Sequence, residues 1–177
     1  FNERRIMEKR VYISKADIQK RTQELGVQIT RDYEGQKIIM IILLKGSFIF
    51  GADLIREIKR DVNVEFMQVS SYVGQESSGE VRILKDLDAN IHDQHVLIVE
   101  DIIDTGLTLN KIIELLKSRN PKSIETCSLL SKPSRRIMDV EAKYVGFEIK
   151  DKFVIGYGLD VDQKYRGLPE VMEMVGD

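Results

Sequence analysis

The stretch VLIVEDIIDTGLTL, Val96–Leu109, runs a chain of aliphatic residues into a cluster of acids. Glu100 and Asp101 are adjacent, two aliphatics follow, and then come Asp104 and Thr-Gly-Leu-Thr. An aliphatic run without alternation marks a strand covered on both faces, as in parallel α/β sheets. The residues after it carry apolar positions at helical spacing, so a helix is expected from about Thr105 to Arg119. Strand, tight turn and helix in that order place the turn at the carboxyl end of a parallel strand. Open α/β sheets bind their ligands there. A hydrophobic core has no use for three carboxylates at this point, whereas a binding site has.

The start of the expected helix carries unpaired N–H groups and the positive end of the helix dipole. Gly106 permits close approach to the main chain, and Thr105 and Thr108 add hydroxyl donors. Together they form a cradle suited to a phosphate. Glu100 and Asp101 suit the opposite kind of partner, a hard cation such as Mg²⁺ or the vicinal hydroxyls of a ribose. A ribose 5-phosphate presents a diol and a phosphate a few ångströms apart. Neither GxxxxGK[ST] nor GxGxxG occurs, so the turn is neither a P-loop nor a dinucleotide fingerprint. The plainer alternative is that the acids cap the next helix or face water, with Asp104 as N-cap.

Similar units surround this one. KIIMIILL (Lys37–Leu44) reads as another buried strand, followed by KGS and a helix from about Phe48 to Lys59. Before it, Ser14 and Asp17 resemble a capping box opening a helix with Ile18, Leu25 and Ile29 on one face and Gly35 near its stop. Val62–Val69 reads as a strand, Ser70–Glu80 as a long mobile loop, and VRILKD as a short strand. HVLIVE and SIETCSLLSK add two strands, and YVGFEI and FVIGYGLD are late candidates. The pattern predicts an α/β fold with an open, mainly parallel twisted sheet flanked by helices. One domain over residues 1–177 is expected. Its core spans about 36–130, and a small hood subdomain is built from about 1–35 and 131–177.

Composition narrows the function. The 177 residues are 42% hydrophobic and 32% charged with net charge −2, ordinary values for a globular domain. That charge disfavours a non-specific nucleic-acid binder. No run approaches the roughly 18 apolar residues of a membrane span. The charged start FNERRIMEKR has no apolar signal core, and the single Cys127 sits in a strand-like run as a small core residue. A cytoplasmic location is expected.

The acidic stretch resembles the phosphoribosyl-pyrophosphate signature of type I phosphoribosyltransferases, and more closely that of the hypoxanthine-guanine phosphoribosyltransferases. LLKGS (Leu43–Ser47) is similar to that family's pyrophosphate loop, and SSYVG (Ser70–Gly74) to the start of its flexible catalytic loop. DKFVIGYGLD and KYRGLPEV resemble its purine-binding and C-terminal segments, in the family's order from about residue 43 to 171.

The resemblance implies a type I phosphoribosyltransferase fold and purine salvage: a phosphoribosyl group passes from phosphoribosyl pyrophosphate to N9 of hypoxanthine or guanine. It implies that Glu100 and Asp101 hold the ribose hydroxyls and Mg²⁺. Asp104 is implied as the general base at the purine's imidazole edge. Thr105, Gly106, Leu107 and Thr108 would take the 5-phosphate. Lys45 and Gly46 would meet pyrophosphate, with a cis peptide between Leu44 and Lys45, and Arg166 would join them. Ser71 and Tyr72 would close over the site. Lys132 would donate to O6 of the purine, Phe153 would stack on its ring, and the Val154 backbone would read its edge. Asp160 would serve a second Mg²⁺ and the rim of the base site. The implied partners are small molecules, with no nucleic acid and no membrane, in a homodimer or homotetramer.

Arg135 and Arg136 are expected on a solvated face, and His92 and His95 are given no role. Two competing readings stay open: a nucleic-acid-binding regulator that retains this fold, and a phosphoribosyltransferase for another base. A lysine placed to donate to O6 favours 6-oxopurines over adenine.

Overall fold

The computed structural model describes residues 8–71 and 80–176. The chain runs β1 (Glu8–Ile13), α1 (Lys15–Asp32), β2 (Ile38–Leu44), α2 (Phe48–Glu57), β3 (Val62–Ser71) and β4 (Val81–Lys85). It continues through β5 (His95–Ile103), α3 (Leu107–Lys117), β6 (Ser123–Ser131), β7 (Tyr144–Glu148), β8 (Val154–Ile155) and β9 (Val171–Val175). Six strands form one sheet in the order β4-β3-β2-β5-β6-β7. All neighbours pair in parallel except β3 and β4, which are antiparallel.

β2 explains why this sheet is covered on both sides. Ile38, Met40 and Ile42 pack into a core with Ile18, Leu25 and Ile29 of α1 and Phe50 and Leu54 of α2. Ile39, Ile41 and Leu43 point the other way, into a core with Leu109, Ile112 and Leu116 of α3. Period-2 alternation of a uniformly apolar strand therefore serves two cores at once. On α1 the buried positions Ile18, Thr22, Leu25, Gly26 and Ile29 form a single stripe. At Gly26 a Cβ would collide with Glu57, so the missing side chain lets α1 and α2 approach closely. Cys127 is fully buried, and burial pushes its thiol up to about 12, which keeps it inert.

A second, antiparallel sheet has the order β1-β9-β8. It joins the start of the chain to its end. Neither β1 nor β9 was expected, because both are short and their polar and apolar residues do not alternate cleanly.

Several boundaries differ from the expected ones. β5 continues past Glu100 to Ile103, carrying the acid pair inside a strand. α3 begins at Leu107 rather than Thr105, with Gly106 at its N-cap in the left-handed conformation (φ 85°). The expected strand FVIGYGLD shrinks to Val154–Ile155, because Gly156, Tyr157 and Gly158 all have positive φ and turn the chain back. Ser14 caps α1 by accepting from the Asp17 N–H at 3.1 Å. The expected mobile loop lies mostly outside the described residues, and Tyr72 with it.

Candidate active site

β2 has β3 on one side and β5 on the other, so the sheet's winding reverses between β2 and β5. A crevice opens at such a point outside the carboxyl ends of the strands. The segments after β2, β5 and β6 converge there.

The segment after β2 is Lys45-Gly46-Ser47, and the Leu44–Lys45 peptide is cis. Lys45 is exposed. Gly46 lies directly on Asp101, since a Cβ at Gly46 would overlap the Asp101 carboxylate. The next layer is Gly158, whose missing Cβ makes room for the Gly46 carbonyl. Its φ of 98° also requires glycine. Arg166 donates from Nη1 to the Gly158 carbonyl at 2.6 Å and lies 3.3 Å from Asp160. Asp160 in turn accepts from the Gln163 N–H at 2.8 Å. Asp101, Gly46, Gly158 and Arg166 thus form a continuous stack.

At the end of β5, Glu100 accepts from the Asp101 N–H at 3.0 Å and Asp101 accepts from the Ile102 N–H at 2.7 Å. Neither carboxylate makes an ion pair among the described residues. Burial, and then the charge of Asp101, raise the Glu100 carboxyl well above the usual range. The pair is therefore short of a positive partner. Among the described residues, Glu100, Asp101 and Asp160 do not form a cluster of three potential metal ligands.

Beyond the acids, a concavity of about 110 Å³ is lined by Glu100, Asp104, Thr105, Gly106 and Thr108, together with aliphatics of β5 and α3. The Thr105 hydroxyl accepts from the Leu107 N–H at 3.3 Å. Leu107 is the first residue of α3, so its backbone opens the helix. Asp104 is not the N-cap; its Oδ1 accepts from Nε of Arg135 at 3.0 Å. A larger cavity of about 480 Å³ lies between α1, α2 and residues 157–169, and none of the expected site residues lines it.

The base-reading candidates lie just after β6 (Lys132) and at the start of β8 (Phe153 and Val154). Lys132 is only 8% exposed, although a lysine beside proline is usually a surface residue. Its Nζ lies 3.6 Å from Asp151. Phe153 is 52% exposed, an open ring rather than a core residue. The Phe153 carbonyl accepts from the Met174 N–H at 2.9 Å, which turns Phe153 toward β9. The N–H and C=O of Val154 therefore face the free edge of β8, while its side chain is buried. Ser71 closes β3, is exposed and pairs with Val81.

Arg135 is exposed, as expected of a solvated face, whereas Arg136 is half-buried and folds back onto the strand ends. Arg136 donates from Nη1 to the carbonyls of Ile103 (3.2 Å) and Asp104 (2.5 Å), and from Nη2 to the Ser131 hydroxyl (2.7 Å). It clamps the ends of β5 and β6 together. Arg135 ends a 3₁₀ turn at Pro133–Arg135 and Arg136 follows it, so the turn brings both back toward the strand ends. The only signal in the sequence was Pro133, a good first residue for such a turn. His95 binds the Ser123 hydroxyl at 2.6 Å, a structural contact at the far end of β5.

Residues 14–162 match the family model described as the phosphoribosyl transferase domain. The chain belongs to the phosphoribosyltransferase family. It is similar to the curated hypoxanthine-guanine phosphoribosyltransferase of Staphylococcus aureus, 51% identical over 92% of both chains. It also resembles the crystal structure of a hypoxanthine-guanine phosphoribosyltransferase from Bacillus anthracis, with TM-score 0.92 and 48% identity over 94% of this chain and 98% of that one. A Trypanosoma cruzi hypoxanthine phosphoribosyltransferase, studied for the role of its C-terminal region in oligomeric state and activity, matches with TM-score 0.91 and 40% identity. That match covers 94% of this chain and 91% of the other. In this phosphoribosyltransferase the matched region carries the acid pair, the cradle at α3 and the segment after β2.

Proposed function

We propose that the protein salvages oxopurines, transferring the 5-phosphoribosyl group of phosphoribosyl pyrophosphate to N9 of hypoxanthine or guanine. The products are the nucleoside monophosphate and pyrophosphate. The observation that carries this reading is the convergence, at the ends of β2, β5 and β6, of a phosphate-sized concavity, an unpaired acid pair and the buried Lys132 on the strand end next to that of Asp104.

Thr105, Gly106, Leu107 and Thr108 hold the 5-phosphate through hydroxyls and the N–H groups that open α3. Glu100 and Asp101 hold the ribose hydroxyls. The same two carboxylates fit Mg²⁺, which binds through one or two carboxylates, waters and substrate phosphates rather than an all-protein cage. When bound, Mg²⁺ supplies positive charge that offsets the substrate's phosphates and the acid pair. Asp160 is the candidate for a second ion. Lys45, the Gly46 backbone and Arg166 receive the departing pyrophosphate.

Lys132 donates to O6, Phe153 stacks on the ring and the Val154 backbone meets its edge. The bond from C1′ to pyrophosphate breaks as the bond from C1′ to N9 forms. Asp104 takes the imidazole proton of the base and returns it in the reverse reaction. Ser71, the last residue of β3, and Tyr72 after it are assigned to covering the reacting centre and excluding water. The sheet β1-β9-β8, which carries Val154, acts as the hood of a single catalytic domain. The enzyme works in the cytoplasm as a homodimer or homotetramer, which sedimentation would measure.

The test mixes protein, Mg²⁺, phosphoribosyl pyrophosphate and a panel of bases, with kcat/KM for each. Nucleotide from hypoxanthine or guanine and none from adenine is the expected outcome. No nucleotide from any oxopurine rejects the proposal.

A further inference from the structure

Asp104 and Lys132, the two groups assigned to the purine, stand at the ends of adjacent strands. Ile103 and Ser131 are register partners, and the Lys132 N–H donates to the Ile103 carbonyl at 2.9 Å. A carboxylate and an ammonium on neighbouring strand ends attract one another directly. A direct pair would occupy both groups and leave neither for a base.

The structure shows a different pairing. Lys132 lies 3.6 Å from Asp151 Oδ1, Arg135 Nε lies 3.0 Å from Asp104 Oδ1, and Arg135 Nη1 lies 3.8 Å from Asp151 Oδ2. Charges alternate along Asp104, Arg135, Asp151 and Lys132. The planar guanidinium suits a bridge between two acids, and Nε occupies only one oxygen of Asp104. The turn beginning at Pro133 brings Arg135 back, with its N–H bonded to the Lys132 carbonyl at 3.0 Å. Asp151 precedes the exposed Phe153 by two residues.

We propose that Arg135 and Asp151 are positioning residues for purine recognition, holding Asp104 and Lys132 apart so that a planar base can engage both. This rests on the site being an oxopurine site. The side chains of Arg135 and Asp151 are 47% and 55% exposed, so their ion pairs add little to folding. Their effect belongs to base binding.

Steady-state kinetics on the full chain test this, varying hypoxanthine and phosphoribosyl pyrophosphate separately for wild type, R135Q, D151N and D151E. R135Q and D151N should raise the KM for hypoxanthine about fivefold, the upper range for exposed pairs, and leave the KM for phosphoribosyl pyrophosphate within about twofold. D151E keeps the charge and should lie nearer wild type. A general structural defect would move both KM values together, and that result overturns the proposal. An active wild type with R135Q and D151N unchanged overturns the proposal alone. A wild type inert toward every oxopurine overturns the functional reading and the proposal with it.

Discussion

Gly46 lies against Asp101 so closely that a Cβ at residue 46 would overlap the Asp101 carboxylate. The backbone assigned to pyrophosphate therefore rests on a side chain assigned to the ribose and Mg²⁺. Two half-sites, from sequence positions more than fifty residues apart, meet without an intervening side chain.

Gly46→Ala should consequently displace both half-sites. Misplacement by about 1 Å costs on the order of 100-fold in rate, and a loss of that size in kcat/KM for phosphoribosyl pyrophosphate is expected. Circular dichroism should show an intact fold, because the collision is local to the crevice. Near-normal activity would mean that the two segments can separate freely.

Glu100→Gln should stabilise the metal-free protein at neutral pH. The Glu100 carboxyl is raised by burial and by Asp101, so the folded chain favours its protonated form. Wild-type stability is fully present below the unfolded glutamate's range and falls as pH rises through the folded value. The substitution removes that loss. With chelator present, a gain of about 1 kcal/mol would raise Tm by about 2–4 °C at neutral pH. The gain should vanish at acidic pH, where the wild-type carboxyl is already protonated. A pH-independent difference would show that the pair does not repel.

Phe153→Ala separates stacking from packing. A buried phenylalanine costs about 3–5 kcal/mol on truncation, whereas an exposed one stays within about 0.5 kcal/mol. Because Phe153 is 52% exposed, Tm should barely move. Stacking on a base is worth about 1–3 kcal/mol, so the purine KM should rise at least about fivefold. A large drop in Tm with unchanged KM would assign the ring to the core.

Arg136→Ala should act on stability as well as on rate. The guanidinium satisfies the carbonyls of Ile103 and Asp104 and the Ser131 hydroxyl. Leaving them unpaired costs about 2 kcal/mol. For a chain of this size that lowers Tm by about 4–8 °C. Asp104 loses its backbone support, so kcat should fall too. A thermal melt and a kcat measurement check both.

Much of the sheet was legible because its strands are uniformly aliphatic. Ile38–Leu44 and Val96–Val99 can bury both faces only inside a parallel sheet. The late segment was not legible. FVIGYGLD has strand-forming residues, but Gly156, Tyr157 and Gly158 adopt positive φ, and Gly158 packs on Gly46 instead of extending the strand. β1 and β9 were missed because each is stabilised by pairing with the other across the whole length of the chain.

By itself, the sequence determined the fold class, the acid pair and the helix start that follows it. These depend on neighbouring residues: hydrophobic period, turn chemistry and helix ends act over a few positions. Tertiary structure alone decided that Arg135 meets Asp104, that Arg136 clamps β5 to β6, that Asp151 meets Lys132 and that Gly46 rests on Asp101. Each of these joins residues from different strand ends. Such contacts depend on strand order and on the missing volume of a glycine, which no local pattern encodes.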